Sequence, residues 1–186
     1  GFKQINAGRY GEKGAEGITE NLNSLGLKSG RLKTGTPPRI KKSSVDWKMG
    51  DAGFGDKTPS PLSYRTENFK PKDEPCFSFR TNKNTHDIIM DNLSSSAMYS
   101  GKNMATGPRY CPSIEDKVVR FSDKEEHQIF LEPEGLTDDT IYPNGISTSL
   151  PKDIQEKYIK SIKGLERVKI LNYGYAVEYD YINPKI

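Results

Sequence analysis

A chain of 186 residues is long enough for one ordinary domain, or a domain with pieces of a neighbour, and can bury a real core. Hydrophobic residues at 33% and charged residues at 28%, with twelve prolines, point to a loop-rich and well-solvated fold, and no apolar run approaches the ~20 residues of a membrane span. A net charge of +3 and a pI near 8.7 admit RNA or phosphorylated ligands without requiring them.

The cysteines, Cys76 and Cys111, have no Cys-x-x-Cys spacing, so neither a zinc site nor a disulfide framework is indicated, and a reducing, cytoplasmic setting is expected. His86 and His127 are too isolated in sequence to argue a metal site. Nothing resembles a signal peptide. The chain opens on Gly1 and stops at Ile186 just after an aromatic strand pattern, which reads as an excised segment.

In chain order, Gly8, Gly11, Gly14 and Gly17 recur every third residue. Such a loop suits close backbone approach to a ligand, with Arg9 and Glu12 as polar handles; a flexible surface loop is the competing reading. Ile18, Leu22 and Leu25 mark a short amphipathic helix that Gly26 ends. Residues 27–35 read as extended, and Thr36-Pro37-Pro38-Arg39 stops them at a candidate domain boundary. The composition of 41–74 predicts irregular loops of low order around Trp47. A strand with alternating Phe77 and Phe79 follows, with Cys76 as core, and then a helix capped by Thr85 with Ile88, Ile89 and Leu93 on its apolar face.

The densest chemistry lies in Gly107-Pro108-Arg109-Tyr110-Cys111-Pro112-Ser113-Ile114-Glu115-Asp116-Lys117-Val118-Val119-Arg120-Phe121. Ser113 followed by Asp116 is a capping-box pattern, so a short helix starts there with Cys111 just outside it. Unpaired N–H groups at that start, with Arg109, Lys117 and Arg120 nearby, favour a thiolate or a phosphate. The alternative makes Cys111 a small buried hydrophobe and pairs Asp116 with Arg120 as a solvated i,i+4 ladder. Residues 117–121 and 127–131 read as two β-rich runs of a hairpin. Glu132-Pro133-Glu134-Gly135 and Tyr142-Pro143-Asn144-Gly145 read as turns. Pro151 starts a helix carrying Ile154, Tyr158, Ile159 and Ile162 that Gly164 ends, and 168–182 is a tyrosine-rich strand pair or bent strand broken at Gly174. No Gly-x-Gly-x-x-Gly follows a strand and no Walker loop is present, so a stand-alone dinucleotide-binding domain is not indicated. The pattern gives α/β or α+β.

Several uninterrupted blocks are recognisable. Gly30-Arg31-Leu32-Lys33-Thr34-Gly35-Thr36-Pro37-Pro38-Arg39-Ile40, Thr85-His86-Asp87-Ile88-Ile89, the whole 107–121 run, 127–136, 142–151 and 174–180 resemble the MnmG (GidA) family, nearly end to end and least well at 41–74. The resemblance implies an α/β fold: an insertion domain of a glutathione-reductase-like FAD/NAD(P)-binding fold, with a mixed sheet, short helices and long loops. It implies three parts: 1–40 from a flavin domain, 41–166 an NAD-binding-like insertion, and 167–186 a strand returning to the flavin domain. The implied activity is addition of a carboxymethylaminomethyl or aminomethyl group to C5 of the tRNA wobble uridine. FAD and NADH are the implied cofactors, methylenetetrahydrofolate the one-carbon donor, and tRNA, the GTPase MnmE in a heterotetramer and a second copy of the chain the partners. By the same resemblance 107–121 is the NAD-binding segment and Gly8, Arg9, Gly11, Glu12 and Ala15 border FAD, while the expected helix start and nearby cations make Cys111, over Cys76, the candidate catalytic residue. A non-catalytic RNA- or partner-binding module and a folate-dependent tRNA uracil methyltransferase relative are the competing readings.

Overall fold

The computed structural model describes residues 2–99, 107 and 112–185. Its helices are α1 (Ile18–Ser24), α2 (Lys83–Asp91), α3 (Ile114–Arg120) and α4 (Lys152–Lys160). Its strands are β1 (Ser29–Thr36), β2 (Arg39–Lys41), β3 (Asp51–Gly53), β4 (Cys76–Arg80), β5 (Gln128–Pro133), β6 (Thr140–Asn144), β7 (Ile170–Asn172) and β8 (Tyr175–Ile182).

Two sheets result. β1 and β8 form an antiparallel ribbon in unbroken register from Ser29 opposite Ile182 to Thr36 opposite Tyr175. The other six strands form one sheet in the order β3-β4-β5-β6-β2-β7. Both strands of the ribbon lead directly into that sheet, through Pro37-Pro38 on one side and Tyr173-Gly174 on the other, so residues 39–172 hang from the ribbon as an inserted body.

The expected mixed sheet is antiparallel at every described pairing. Antiparallel sheets tolerate one solvated face, and the sequence of β5 carries that signature: Ile129 and Leu131 are buried, whereas Gln128 and Phe130 are exposed. The covered face meets α2, α3 and α4 in one core that includes Ile40, Phe79, Ile89, Ile114, Val118, Ile129, Leu131, Ile141, Ile154, Tyr158 and Ile159.

Three local expectations are corrected. Residues 117–120 are helical, not the first strand of a hairpin; the Ser113–Asp116 capping box fixes the helix start, and burial of Ile114 and Val118 one turn apart outweighs the β preference of adjacent valines. β5 pairs instead with β4 and β6. Tyr142, Pro143 and Asn144 lie within β6, and only Gly145, at φ 103°, turns the chain. β2 pairs with β6 at Thr140 and Ile141 alone, so no ladder N–H is required of Pro143 on that side. The segment 41–53 is ordered by two 3-10 turns, Lys42–Ser44 and Trp47–Met49, and by β3, with Trp47 packed 4.7 Å from the Phe77 ring. Gly50 makes this possible, since a Cβ there would fall 2.3 Å from Phe79 Cε2. Within the 41–75 stretch, residues 54–75 lack regular structure.

α2 is capped by Asn82, whose Oδ1 accepts from Thr85 N at 3.0 Å, while Thr85 itself is buried. α1 and α4 lie where the periodicity places them, and the break at Gly174 separates strands of two different sheets.

Candidate functional site

At the start of α3, Ser113 Oγ accepts from Asp116 N at 3.1 Å and Ser113 N donates to Asp116 Oδ2 at 3.2 Å, which completes the capping box. Ile114 N donates to Ser147 O at 2.8 Å. The N–H groups expected to attract an anion are therefore largely engaged within the fold, because a capping box satisfies the orphan donors that a phosphate would otherwise use. Lys117 Nζ donates to Gly145 O at 2.9 Å and clamps the turn after β6. Arg120 lies 3.6 Å from Asp116 in the i,i+4 ladder, largely exposed.

One residue of this helix does what sequence reasoning did not assign. Glu115 is completely buried, and its Oε1 accepts from Ser96 Oγ at 2.9 Å, Thr148 Oγ1 at 3.0 Å and Ser149 N at 3.1 Å. Ser149 Oγ lies 2.8 Å from Ser96 Oγ and accepts from Met98 N at 2.9 Å. Among the described residues, buried Glu115 Oε2 has no hydrogen-bond partner. Burial, and then the Glu115 carboxylate, push the buried Tyr158 hydroxyl well above its ordinary pKa. The carboxylate thus gathers three separate segments, 96–98, α3 and 147–150. The hydroxyl run Ser147-Thr148-Ser149 is the one sequence signal that could have pointed to it.

Within the 107–121 run, Ser113, Ile114, Glu115 and Val118 are buried, Pro112, Asp116, Lys117 and Val119 half-buried, and Gly107, Arg120 and Phe121 exposed. Pro108, Arg109, Tyr110 and Cys111 lie outside the described residues.

The glycine loop stands on the ribbon side. Gly8, Arg9, Gly11, Glu12 and Ala15 are exposed. Arg9 pairs with Glu12 at 2.9 Å; this hydrogen-bonded pairing raises the guanidinium pKa and lowers that of the carboxyl. Glu12 N donates to Arg9 O at 2.8 Å, Gly8 N to Glu12 O at 3.1 Å, and Gly11 takes φ 80°, so the loop closes on itself. Tyr10 N donates to Tyr175 Oη at 3.1 Å, which leashes the loop to β8.

The joint between ribbon and sheet lies at the boundary expected at Thr36-Pro37-Pro38-Arg39 and at the break at Gly174, and is fastened by Arg39 and Gln155. Arg39 donates to Thr36 Oγ1 at 2.6 Å, Pro37 O at 2.7 Å and Glu134 Oε1 at 2.7 Å, and its guanidinium lies 4.4 Å from the Tyr142 ring centre. Buried Gln155 donates to Leu150 O at 2.7 Å and Gly174 O at 2.9 Å, and accepts from Gly174 N at 2.8 Å. A Cβ on Gly174 would meet Thr36 O at 2.6 Å. The crossing is a fastened joint.

The two histidines, distant in sequence, are brought together with ring centres 5.0 Å apart. Thr81 Oγ1 accepts from His127 N at 2.8 Å and lies 2.7 Å from His86 Nε2. Burial lowers both pKa values, and each ring has cations nearby, Lys83 for His86, and Lys117 and Lys124 for His127. Cys76 is half-buried, and burial first, then the Glu132 and Asp73 carboxylates, hold its thiol above the ordinary range. Among the described residues no three His, Cys, Asp or Glu side chains come together to hold a metal.

Comparison with known proteins agrees with this architecture. The family model described as glucose inhibited division protein A matches residues 1–186. A relative from Thermodesulfovibrio yellowstonii named tRNA uridine 5-carboxymethylaminomethyl modification enzyme MnmG is 50% identical over 184 residues, 99% of this chain and 30% of its own length. A relative of the same name from Borrelia garinii subsp. bavariensis is 52% identical over the same shares. The structure of Aquifex aeolicus GidA in its form I crystal superposes with a TM-score of 0.85 at 45% identity, across 97% of this chain and 31% of that one. The chain thus spans about 30% of the length of these curated relatives. With the match running through the ribbon, the inserted sheet and the α3 region alike, the chain belongs to the glucose inhibited division protein A (GidA/MnmG) family.

Proposed function

We propose that this chain is the insertion segment of a cytoplasmic, flavin-dependent enzyme that adds a carboxymethylaminomethyl or aminomethyl group to C5 of the tRNA wobble uridine. The observation that carries the reading is the identity of 50–52% along 99% of the chain to relatives named for that modification. Bound FAD, reduced by NADH, supplies the redox chemistry, and methylenetetrahydrofolate the one-carbon unit. The proposed assembly pairs two copies of the enzyme with the GTPase MnmE. Among the described residues no helix is long and apolar enough to cross a membrane.

The proposed parts are a flavin-domain segment at 1–40, the insertion at 41–166 and a returning strand at 167–186. The pairing of β1 with β8 supports a body inserted between two halves of a neighbouring domain. The exposed loop carrying Gly8, Arg9, Gly11, Glu12 and Ala15 fits one wall of a flavin site, with backbone free of side chains at its glycines. The open clefts at 43–48 with 164–167 and at 51–53 with 76–78 are lined by other residues, so among the described residues the glycine loop fits a wall of a site and not an enclosure.

For NADH, the proposed segment remains 107–121, and its parts divide by role. The engaged cap, the buried Glu115 and the Lys117–Gly145 clamp fit a scaffold. That leaves the limb from Gly107 to Cys111 as the proposed contact, with Arg109 for the pyrophosphate and Cys111 as the catalytic thiol. Loss of a charge-assisted hydrogen bond from Arg109 is worth about 1.5–3 kcal/mol, or roughly ten- to a hundredfold in NADH affinity. Flavin reduction by NADH in the full-length enzyme tests this: Arg109→Ala should raise the half-saturating NADH concentration by that factor with the melting temperature unchanged. An unchanged NADH dependence would remove the role.

A further inference from the structure

We propose that the loop 54–72 is a contact for single-stranded RNA, a reading that rests on the proposed action of the parent enzyme on tRNA. The loop is exposed throughout, and its neck is closed. Gly53 pairs with Cys76 across β3 and β4, and Gly55 N donates to both oxygens of Asp73 at 3.2 Å. Glu74 is held by Lys72 at 2.8 Å and Lys42 at 3.8 Å. Beyond the neck Leu62 and Tyr64 are fully bare at 106% and 108%, Phe54 is 69% exposed and Phe69 40% exposed.

The chemistry of the loop is interleaved. Phe54 is followed by Lys57, Tyr64 by Arg65 and Phe69 by Lys70. None of these three cations makes an ion pair or side-chain hydrogen bond among the described residues. Asp56 and Glu67 are the carboxylates within the loop. At the tip, Thr66 N donates to Ser63 O at 3.1 Å and Arg65 N to Ser63 Oγ at 3.2 Å, which sets Tyr64 and Arg65 at the two central positions of a turn.

Exposed rings alternating with cations that make no ion pair among the described residues fit a strand of unpaired nucleotides, in which bases stack on rings while phosphates meet cations. A duplex offers no free base faces to such rings. A protein partner fits less well, because a stable interface needs roughly 1,000 Å² of complementary surface and these apolar groups stand singly among prolines and charges. The shared chemistry with the proposed substrate is the unpaired loop of a tRNA.

The test uses the full-length, FAD-loaded protein and fluorescence-polarisation titrations with bulk tRNA, a single-stranded oligouridylate and a duplex RNA of the same length. Phe54→Ala/Tyr64→Ala should weaken binding of tRNA and of the single strand by about tenfold or more, with the salt dependence unchanged. Lys57→Ala/Arg65→Ala/Lys70→Ala should lower the slope of log affinity against log salt by about 2, from ~0.7 per phosphate contact on a single strand. Melting temperature and flavin content should match the parent, since every altered side chain is exposed. If the parent binds tRNA and both variants bind it equally well, the loop is no RNA contact. A changed oligomeric state with unchanged RNA affinity would assign the loop to a protein interface and overturn the proposal. A parent that does not bind tRNA at all would overturn the proposed function as well, and is distinguished by failing before any substitution.

Discussion

Replacing Glu115 by alanine removes the single acceptor on which Ser96 Oγ, Thr148 Oγ1 and Ser149 N converge. Each buried donor left unpaired costs about 1–3 kcal/mol. Ser96 Oγ keeps Ser149 Oγ at 2.8 Å as an alternative, so the lower end of that range applies to it, whereas the Thr148 hydroxyl and the Ser149 backbone N–H both lose this acceptor. The sum, with the cavity left by the side chain, is about 3–5 kcal/mol. Glu115→Gln keeps an oxygen at the Oε1 position and places an amide where Oε2 has no partner, so its expected cost is only about 1–2 kcal/mol. The assay is amide hydrogen exchange of Ser149 N–H in the full-length protein, which reads local opening free energy without requiring two-state unfolding. At 1.4 kcal/mol per decade, alanine should speed that exchange by roughly a hundred- to several-thousandfold and glutamine by about tenfold. An alanine variant within about threefold of the parent would refute the reasoning, as would a glutamine variant as severe as alanine, which would make the charge and not the acceptor geometry the determinant.

Four further outcomes follow from the same contacts. Gln155→Leu strands Leu150 O and both backbone groups of Gly174, so the joint should loosen by about 2–4 kcal/mol, read as faster exchange at Gly174 N; unchanged exchange there would argue against a fastened joint. His86 and His127 have folded pKa values below the unfolded value of about 6.5, so the unfolded chain binds more protons and the stability they contribute is complete above about pH 6.5 and lost as pH falls toward the folded values. Thermal unfolding across that window should show the loss, and His127→Gln with His86→Gln should flatten it; an equal slope in the double variant would place the titration elsewhere. Cys76, with its thiol pKa raised, should alkylate more slowly near neutrality than Cys111; a faster Cys76 would withdraw the assignment of Cys111. The 186-residue chain alone should bind FAD weakly or not at all, since among the described residues the loop at 8–15 is exposed and offers only a wall; a yellow stoichiometric complex would contradict this.

Legibility in the sequence followed the range of the interactions involved. α1, α4, β4 and the break at Gly174 were readable because local periodicity and local glycine or proline punctuation decide them. The capping box of α3 was readable for the same reason. Residues 117–121 misled because adjacent valines favour a strand locally, whereas burial of Ile114 and Val118 against the sheet favours a helix. Asn82 capped α2 instead of Thr85 because Thr85 is needed inside, against Ser161 Oγ at 2.7 Å. Glu115 was marked only as part of the 107–121 cofactor segment and Arg39 only as part of a strand stop, while Gln155 was not marked; the structural roles of all three depend on partners distant in sequence, Ser96 and Ser149 for Glu115, Glu134 for Arg39 and Gly174 for Gln155. The pairing of His86 with His127 was hidden likewise, because only the β4–β5 register brings Thr81 and His127 side by side. The ordered turn around Trp47 depended on Gly50, whose role emerges only against the Phe79 ring.

The proposed place of this chain in a tRNA wobble-uridine modification enzyme can be tested directly. The most direct measurement is nucleoside mass spectrometry of tRNA from a bacterial strain that lacks its own family member and carries the Aquifex aeolicus GidA frame with this chain in place of the matching segment. Restoration of the C5-modified wobble uridine, at a level that falls when Arg109→Ala is introduced, is the predicted result. A soluble, FAD-loaded chimera that leaves the wobble uridine unmodified would contradict it.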